Sequence, residues 1–290
     1  MNTKYIGGLL TGAVLILAGC QGPVQELKTS LVTDSRARVE TDFGGDVRTA
    51  HPEADQYLQG VARDVHATLR NALKQSGAGG KAPIVHVLDS AEISHFHLPG
   101  DVYLTRGLLN ELDNEAQLRS VLGIELGLMS EGILDKAMTD AARKEVDSRR
   151  ARGVLEGLWN ETAGRFTGSG GTVTDALFDA RESLKEELFS TSNGTPQFGY
   201  RYTTDQMATA DRLAIRSLVA VGLDARQHLL YLRLMQSHGN MTQGLVESQQ
   251  IDEARFATVE ALLNELSPSP PSRETRVASY EQHVGSAFTQ

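Results

Sequence analysis

A mostly helical α+β fold is predicted by three observations. Apolar residues recur at three- and four-residue steps over long stretches, the spacing of one helix face. One short β-branched run, Ile84-Val85-His86-Val87-Leu88, interrupts them and ends at Asp89-Ser90. Beyond it, Pro99-Gly100 separates two further short strand candidates, because Pro fixes φ and Gly accepts φ > 0 at a turn.

The first twenty residues read as a targeting segment. Lys4 supplies a positive start, and Ile6 to Leu17 is an apolar stretch too short for a convincing span. It runs into Leu17-Ala18-Gly19-Cys20, which resembles the lipobox of bacterial lipoproteins. That resemblance implies cleavage before Cys20 and acylation of its thiol. Gln21, rather than Asp, follows the cysteine, which by the same resemblance implies sorting to the outer membrane of a Gram-negative cell. Cys20 is the only cysteine, so a disulfide within one chain is impossible. No window after residue 20 offers the roughly 18 apolar residues that a spanning helix needs. The expected organisation is a signal peptide at 1–19, a polar lipid-anchored tether at 20–50 and one domain at 51–290.

Within that domain, 53–76 reads as helix, with Tyr57, Leu58, Val61, Val65, Leu69 and Leu73 on one face until Gly77-Ala78-Gly79-Gly80. Ile84 to Leu88 is a strand, and 93–98 with 101–105 forms an antiparallel hairpin beside it. A short helix occupies 107–112. Asp113-Asn114-Glu115 opens the next, an Asx cap followed by acidic character in the first turn. That helix continues to about Ile133, and helical character resumes over 137–159. Residues 167–174 read as a loop, 175–190 as helix, and 192–200 as a loop containing Asn193-Gly194 and Pro196. Helices follow at 204–221, 225–236 and about 248–266. Pro-rich 267–272 ends the last of these before a final helix, and no internal repeat is present.

The formal charge of −9 argues against nucleic-acid binding and against a basic membrane-surface patch. No G-x-S-x-G, P-loop or dinucleotide fingerprint is present. The informative segment is 120–132, Ser-Val-Leu-Gly-Ile-Glu-Leu-Gly-Leu-Met-Ser-Glu-Gly. A zinc-peptidase helix carries H-E-x-x-H, in which residues i and i+4 share a face and hold the metal while the Glu activates water. Here those two positions are Ile124 and Leu128, and Glu125 keeps the place of the base.

Residues on either side give this short match its weight. Val87-Leu88-Asp89-Ser90, then Leu98-Pro99-Gly100-Asp101-Val102-Tyr103-Leu104-Thr105-Arg106-Gly107-Leu108-Leu109, then the acidic helix start and Val121 to Leu128, arrive in order. Together they resemble metallopeptidase family forty-eight, the gluzincin family of the CAAX prenyl endopeptidase and periplasmic lipoprotein proteases. The resemblance covers roughly 54–280 and is weakest between 135 and 200. It implies a gluzincin-like core with a small antiparallel sheet beside the former zinc helix. The family's third ligand is a Glu four residues before an Asp; Met207 stands there, and Asp211 is kept. Ser269-Pro270-Pro271 with Arg276 occupies the place of a T-H-P before an Arg, without its His.

The ligand positions Ile124, Leu128 and Met207 therefore offer no zinc site, and no metal or other cofactor is expected. Zinc held by non-standard ligands is the alternative. No catalytic residue is expected; Glu125 and Asp211 are vestigial, and Glu125 is expected to hold a loop N–H. His95 and His97 lie two apart on a strand, so their side chains point the same way, and with Glu125 or His86 they are the rival metal ligands near the cleft. His51, His66, His228, His238 and His283 are scattered and expected at the surface. The resemblance implies a pseudopeptidase, anchored through lipid on Cys20 at the periplasmic face of the outer membrane. It would bind envelope polypeptides or an outer-membrane assembly complex in protein assembly or quality control. The alternatives are a zinc metalloendopeptidase and a structural or regulatory subunit.

Overall fold

The computed structural model describes residues 7–75, 80–163, 189–192, 195–198, 202–238, 251–266, 272–285 and 287–288. The helices are α1 Gly7–Asp42, α2 Pro52–Gln75, α3 Arg106–Glu111, α4 Glu115–Ser130, α5 Ile133–Ala163, α6 Thr204–Ala220, α7 Gln227–Ser237, α8 Glu253–Leu266 and α9 Val277–Tyr280. The strands are β1 Ile84–Leu88, β2 His95–Leu98, β3 Asp101–Thr105, β4 Phe189–Ser192 and β5 Thr195–Phe198. The architecture is α+β and mostly helical. Among the described residues no helix is long and apolar enough to cross a membrane.

The chain divides into two compact units, one of residues 1–35 with 135–185 and one of 36–134 with 186–290. The smaller contains α1 as far as Ser35 and α5 from Asp135, joined by the Lys28–Asp135 ion pair at 2.7 Å. A cavity of about 490 Å³ there is lined by Pro23, Glu26, Leu27, Ser30, Val146 and Arg149.

The larger unit is built around α4. Asn114 caps this helix by accepting from the Gln117 N–H at 3.0 Å. Every residue of α4 except Met129 is buried, so the helix is enclosed on all sides and central. It runs antiparallel to α6 at very close range. A Cβ on Gly123 would lie 2.6 Å from the Ala214 Cα, and one on Gly127 would lie 2.6 Å from the Ala210 Cα. Gly-x-x-x-Gly against Ala-x-x-x-Ala is what lets the two backbones meet. α2, α7 and β2 surround the rest of α4.

The hairpin β2–β3 is antiparallel, as its Pro-Gly turn predicts, with Phe96 opposite Tyr103 and His97 opposite Val102. The sheet as a whole is mixed and not antiparallel, because β1 pairs parallel with β3 in the order β1-β3-β2. β3 takes the centre, and all five of its residues are buried. Gly107 follows directly; a Cβ there would fall 2.2 Å from the Ala91 carbonyl oxygen, so the turn into α3 closes only on glycine.

Two further expectations are corrected. Residues 21–42, read from the sequence as a polar stretch without a sustained period, are helical, since α1 continues to Asp42. From Arg36 it belongs to the larger unit, where Val39 and Phe43 are buried. Residues 189–192 and 195–198 are neither helix end nor loop but two paired antiparallel strands. They flank Asn193-Gly194, whose hairpin preference was the available signal. The expected loop at 167–174 and helix at 175–188 lie outside the described residues, as does Pro-rich 267–271.

Candidate functional site

Glu125 sits halfway along α4 and faces β2, where a strand period of two puts His95 and His97 on the same side. The carboxylate lies between the two rings. Glu125 Oε1 contacts His95 Nδ1, and Glu125 Oε2 lies 2.7 Å from His97 Nδ1. On the far side of each ring is a tyrosine. His95 Nε2 contacts the Tyr231 hydroxyl of α7, and His97 Nε2 lies 3.3 Å from the Tyr202 hydroxyl. Glu125, His95 and Tyr231 are buried, and His97 is 7% exposed.

The roles follow from what each group can do. An ionised carboxylate only accepts, so both Nδ1 atoms carry protons and donate to it. On a neutral ring each Nε2 then accepts from a phenol O–H. The whole set is satisfied with one proton per ring and one negative charge on Glu125. Burial pushes the Glu125 carboxyl up, but its interactions with His95 and then His97 outweigh that and hold it down at about 2. Burial likewise drives the Tyr231 hydroxyl well above its ordinary value, with Glu125 and Asp211 adding to the rise and Arg255 opposing it. Glu125 thus holds two imidazoles and not a loop N–H. The partner Tyr231 was not legible in the sequence, since 136 residues separate it from His95.

Ile124, Leu128 and Met207 are 0%, 2% and 4% exposed and belong to one apolar core. The antiparallel crossing sets Met207, one turn before Ala210, level with the Leu128 end of α4. These side chains do not fit a zinc ion. They bring one thioether, on Met207, and no imidazole or carboxylate, and both oxygens of the adjacent Glu125 carboxylate are already engaged. His95, His97 and Glu125 do not fit one either, because their hydrogen bonds run to two different carboxylate oxygens and to two tyrosines. Among the described residues no group of three or more His, Cys, Asp and Glu is arranged to hold an ion. His86 lies elsewhere, bonded to Asp46 and Asp101.

Asp211 on α6 anchors the neighbouring helices. Arg255 of α8 donates to it through Nε at 2.9 Å and Nη2 at 2.7 Å, and His228 Nε2 of α7 lies 3.1 Å away. Burial raises its carboxyl, and Arg255 and His228 outweigh that to bring it to about 2. His228 is therefore a core residue and not a surface one, and so is His66 at 6% exposure. Arg276 ties the C-terminal segment to the start of α4, donating to Glu115 at 2.8 Å, where Arg119 and Tyr57 also donate. Cys20, the cysteine of the lipobox-like stretch, falls within α1, and its side chain is not among those described.

A glutamate-bearing central helix, a crossed partner helix and a small sheet at its flank define a peptidase-like domain. The chain belongs to Peptidase family M48, whose model matches residues 60–284. Comparison with curated proteins returns no significant match.

Proposed function

We propose that this protein is a catalytically inactive peptidase of the bacterial envelope, held by lipid on Cys20 at the periplasmic face of the outer membrane. It binds polypeptides or partner proteins during outer-membrane protein assembly or quality control. The observation that carries the reading is the state of Glu125. The residue placed to activate a water instead has both oxygens occupied by buried imidazoles, beside three apolar side chains at the ligand positions. Water activation by a glutamate in such a site needs a metal to polarise the water and a free carboxylate to take its proton.

The first test is metal content and cleavage on the purified full chain. Far less than one zinc per chain is expected, with no chelator-sensitive cleavage of casein. Near-unit zinc whose removal abolishes cleavage would establish the zinc endopeptidase alternative. The anchor is tested separately: Cys20→Ser should leave an unprocessed, unacylated precursor by mass spectrometry. Cleavage at any other position, or a free thiol on Cys20 in the mature protein, would remove the anchor.

A role as a structural or regulatory subunit is favoured by one observation: all four residues of β2 are buried, which leaves little of that strand for an extended peptide. Photo-crosslinkers at Gly100, on the hairpin turn, and at Leu230, 45% exposed on α7, distinguish the two modes. Peptide adducts at Gly100 support capture of polypeptides. A single protein adduct at Leu230 supports a subunit contact through the helical surface.

A further inference from the structure

The outer edge of β1 is covered by the chain's own residues 44–50. The Val47 N–H donates to the Val87 carbonyl at 2.9 Å, and the Asp89 N–H donates to the Gly45 carbonyl at 3.2 Å. Between them Asp46 forms an isolated antiparallel bridge with Leu88. The segment turns at Gly44, whose φ is 74° and whose added Cβ would lie 2.7 Å from the Asp89 carbonyl oxygen.

An ionic clamp reinforces these few backbone bonds. His86 stands at the middle of β1, stacked on Tyr103 of β3 with ring centroids 4.7 Å apart. Its Nδ1 lies 2.8 Å from Asp46 Oδ2, and its Nε2 lies 3.2 Å from Asp101 Oδ1. Neither carboxylate can donate, and a neutral imidazole has one N–H. Both contacts exist together only when the ring carries two protons. The other charges around the clamp do not replace it. Arg36 of α1 donates to Asp101 at 2.6 Å, and Arg48 donates to Asp46 at 2.7 Å within the segment itself. Arg48 also faces Asp55 at 3.7 Å, and Glu40 of α1 acts on Tyr103.

We propose that residues 44–50 are a pH-gated strap: doubly protonated His86 clamps Asp46 onto the sheet, and loss of one proton releases the strap and uncovers the outer edge of β1.

Burial works against the charged ring, but the hydrogen bonds to Asp101 and then Asp46 outweigh it, while Arg48 opposes, and the His86 pKa lies above its ordinary value. Burial raises the Asp46 carboxyl too, yet His86 and Arg48 hold it at about 2, so it stays ionised while His86 titrates. The clamp is therefore complete below the ordinary histidine pKa of about 6.5 and is lost as pH rises through the higher value in the folded chain.

Amide hydrogen exchange on the full chain in detergent reads this directly. Protection of the Val47 and Asp89 amides, corrected for the intrinsic rate, should fall at least tenfold between pH 6 and pH 9. The Leu118 amide of α4 should keep its protection. In His86→Gln and Asp46→Asn the two strap amides should be weakly protected at both pH values. Equal protection at pH 6 and pH 9 in the parent chain would overturn the proposal, whether or not the variants fold. So would a variant that keeps the parent's pH dependence.

Discussion

Glu125→Ala is expected to destabilise the larger unit by about 3–5 kcal/mol, because it leaves two buried N–H donors without an acceptor and opens a void between α4 and β2. Glu125→Gln should cost less, about 1–2 kcal/mol. The amide oxygen still accepts from one ring, and the other ring can change tautomer to accept from the amide NH₂. The pH dependence separates this account from a residual catalytic role. The Glu125 carboxyl sits at about 2 in the folded chain against 4.5 ordinarily. Its contribution is present above pH 4.5, is lost as pH falls toward 2, and amounts to about 3 kcal/mol at most. The stability gap between parent and Glu125→Gln in urea unfolding should therefore narrow from pH 7 to pH 3. Asp46 and Asp211, which titrate in the same range, are common to both chains and cancel in the difference. A gap that stays constant would show that Glu125 does not carry the charge of the network. Any cellular function should survive Glu125→Gln, since that variant lacks only a base.

The second large effect is a gain. Ile124→His, Leu128→His and Met207→Glu together restore the ligand set that the family resemblance assigns to these positions. Positions 124 and 128 share a face of α4, and the close antiparallel crossing sets position 207 beside them. The triple variant should bind about one zinc per chain and be stabilised by it. Structural zinc in small peptides binds with about 10–16 kcal/mol, so a distorted site would still be detected. Without metal the variant should be less stable than the parent, since two imidazoles and a carboxylate replace fully packed apolar side chains. Cleavage need not return, because Glu125 remains held by His95 and His97. A folded triple variant with no more zinc than the parent would show that these positions do not converge.

Much of this protein was legible in the sequence for a local reason. Helix α2 is fixed by Tyr57, Leu58, Val61 and their successors, because one apolar face at a 3.6-residue period has a single way to be buried. Pro99-Gly100 determined the hairpin, and Asn114 the start of α4, because turns and caps are satisfied within a few residues. The apolar residues at 124, 128 and 207 were also readable there, as was the common side of His95 and His97. Periodicity says which face a residue occupies and not what that face meets. Only the tertiary structure decided that β1 joins β3 in parallel, that residues 44–50 cover its edge, and that Tyr231 completes a network with His95 and Glu125. The sequence left Glu125 as a charge in an apolar helix, needing a partner of unknown identity. The fold supplied two imidazoles from a strand some thirty residues earlier, and burial made their hydrogen bonds obligatory.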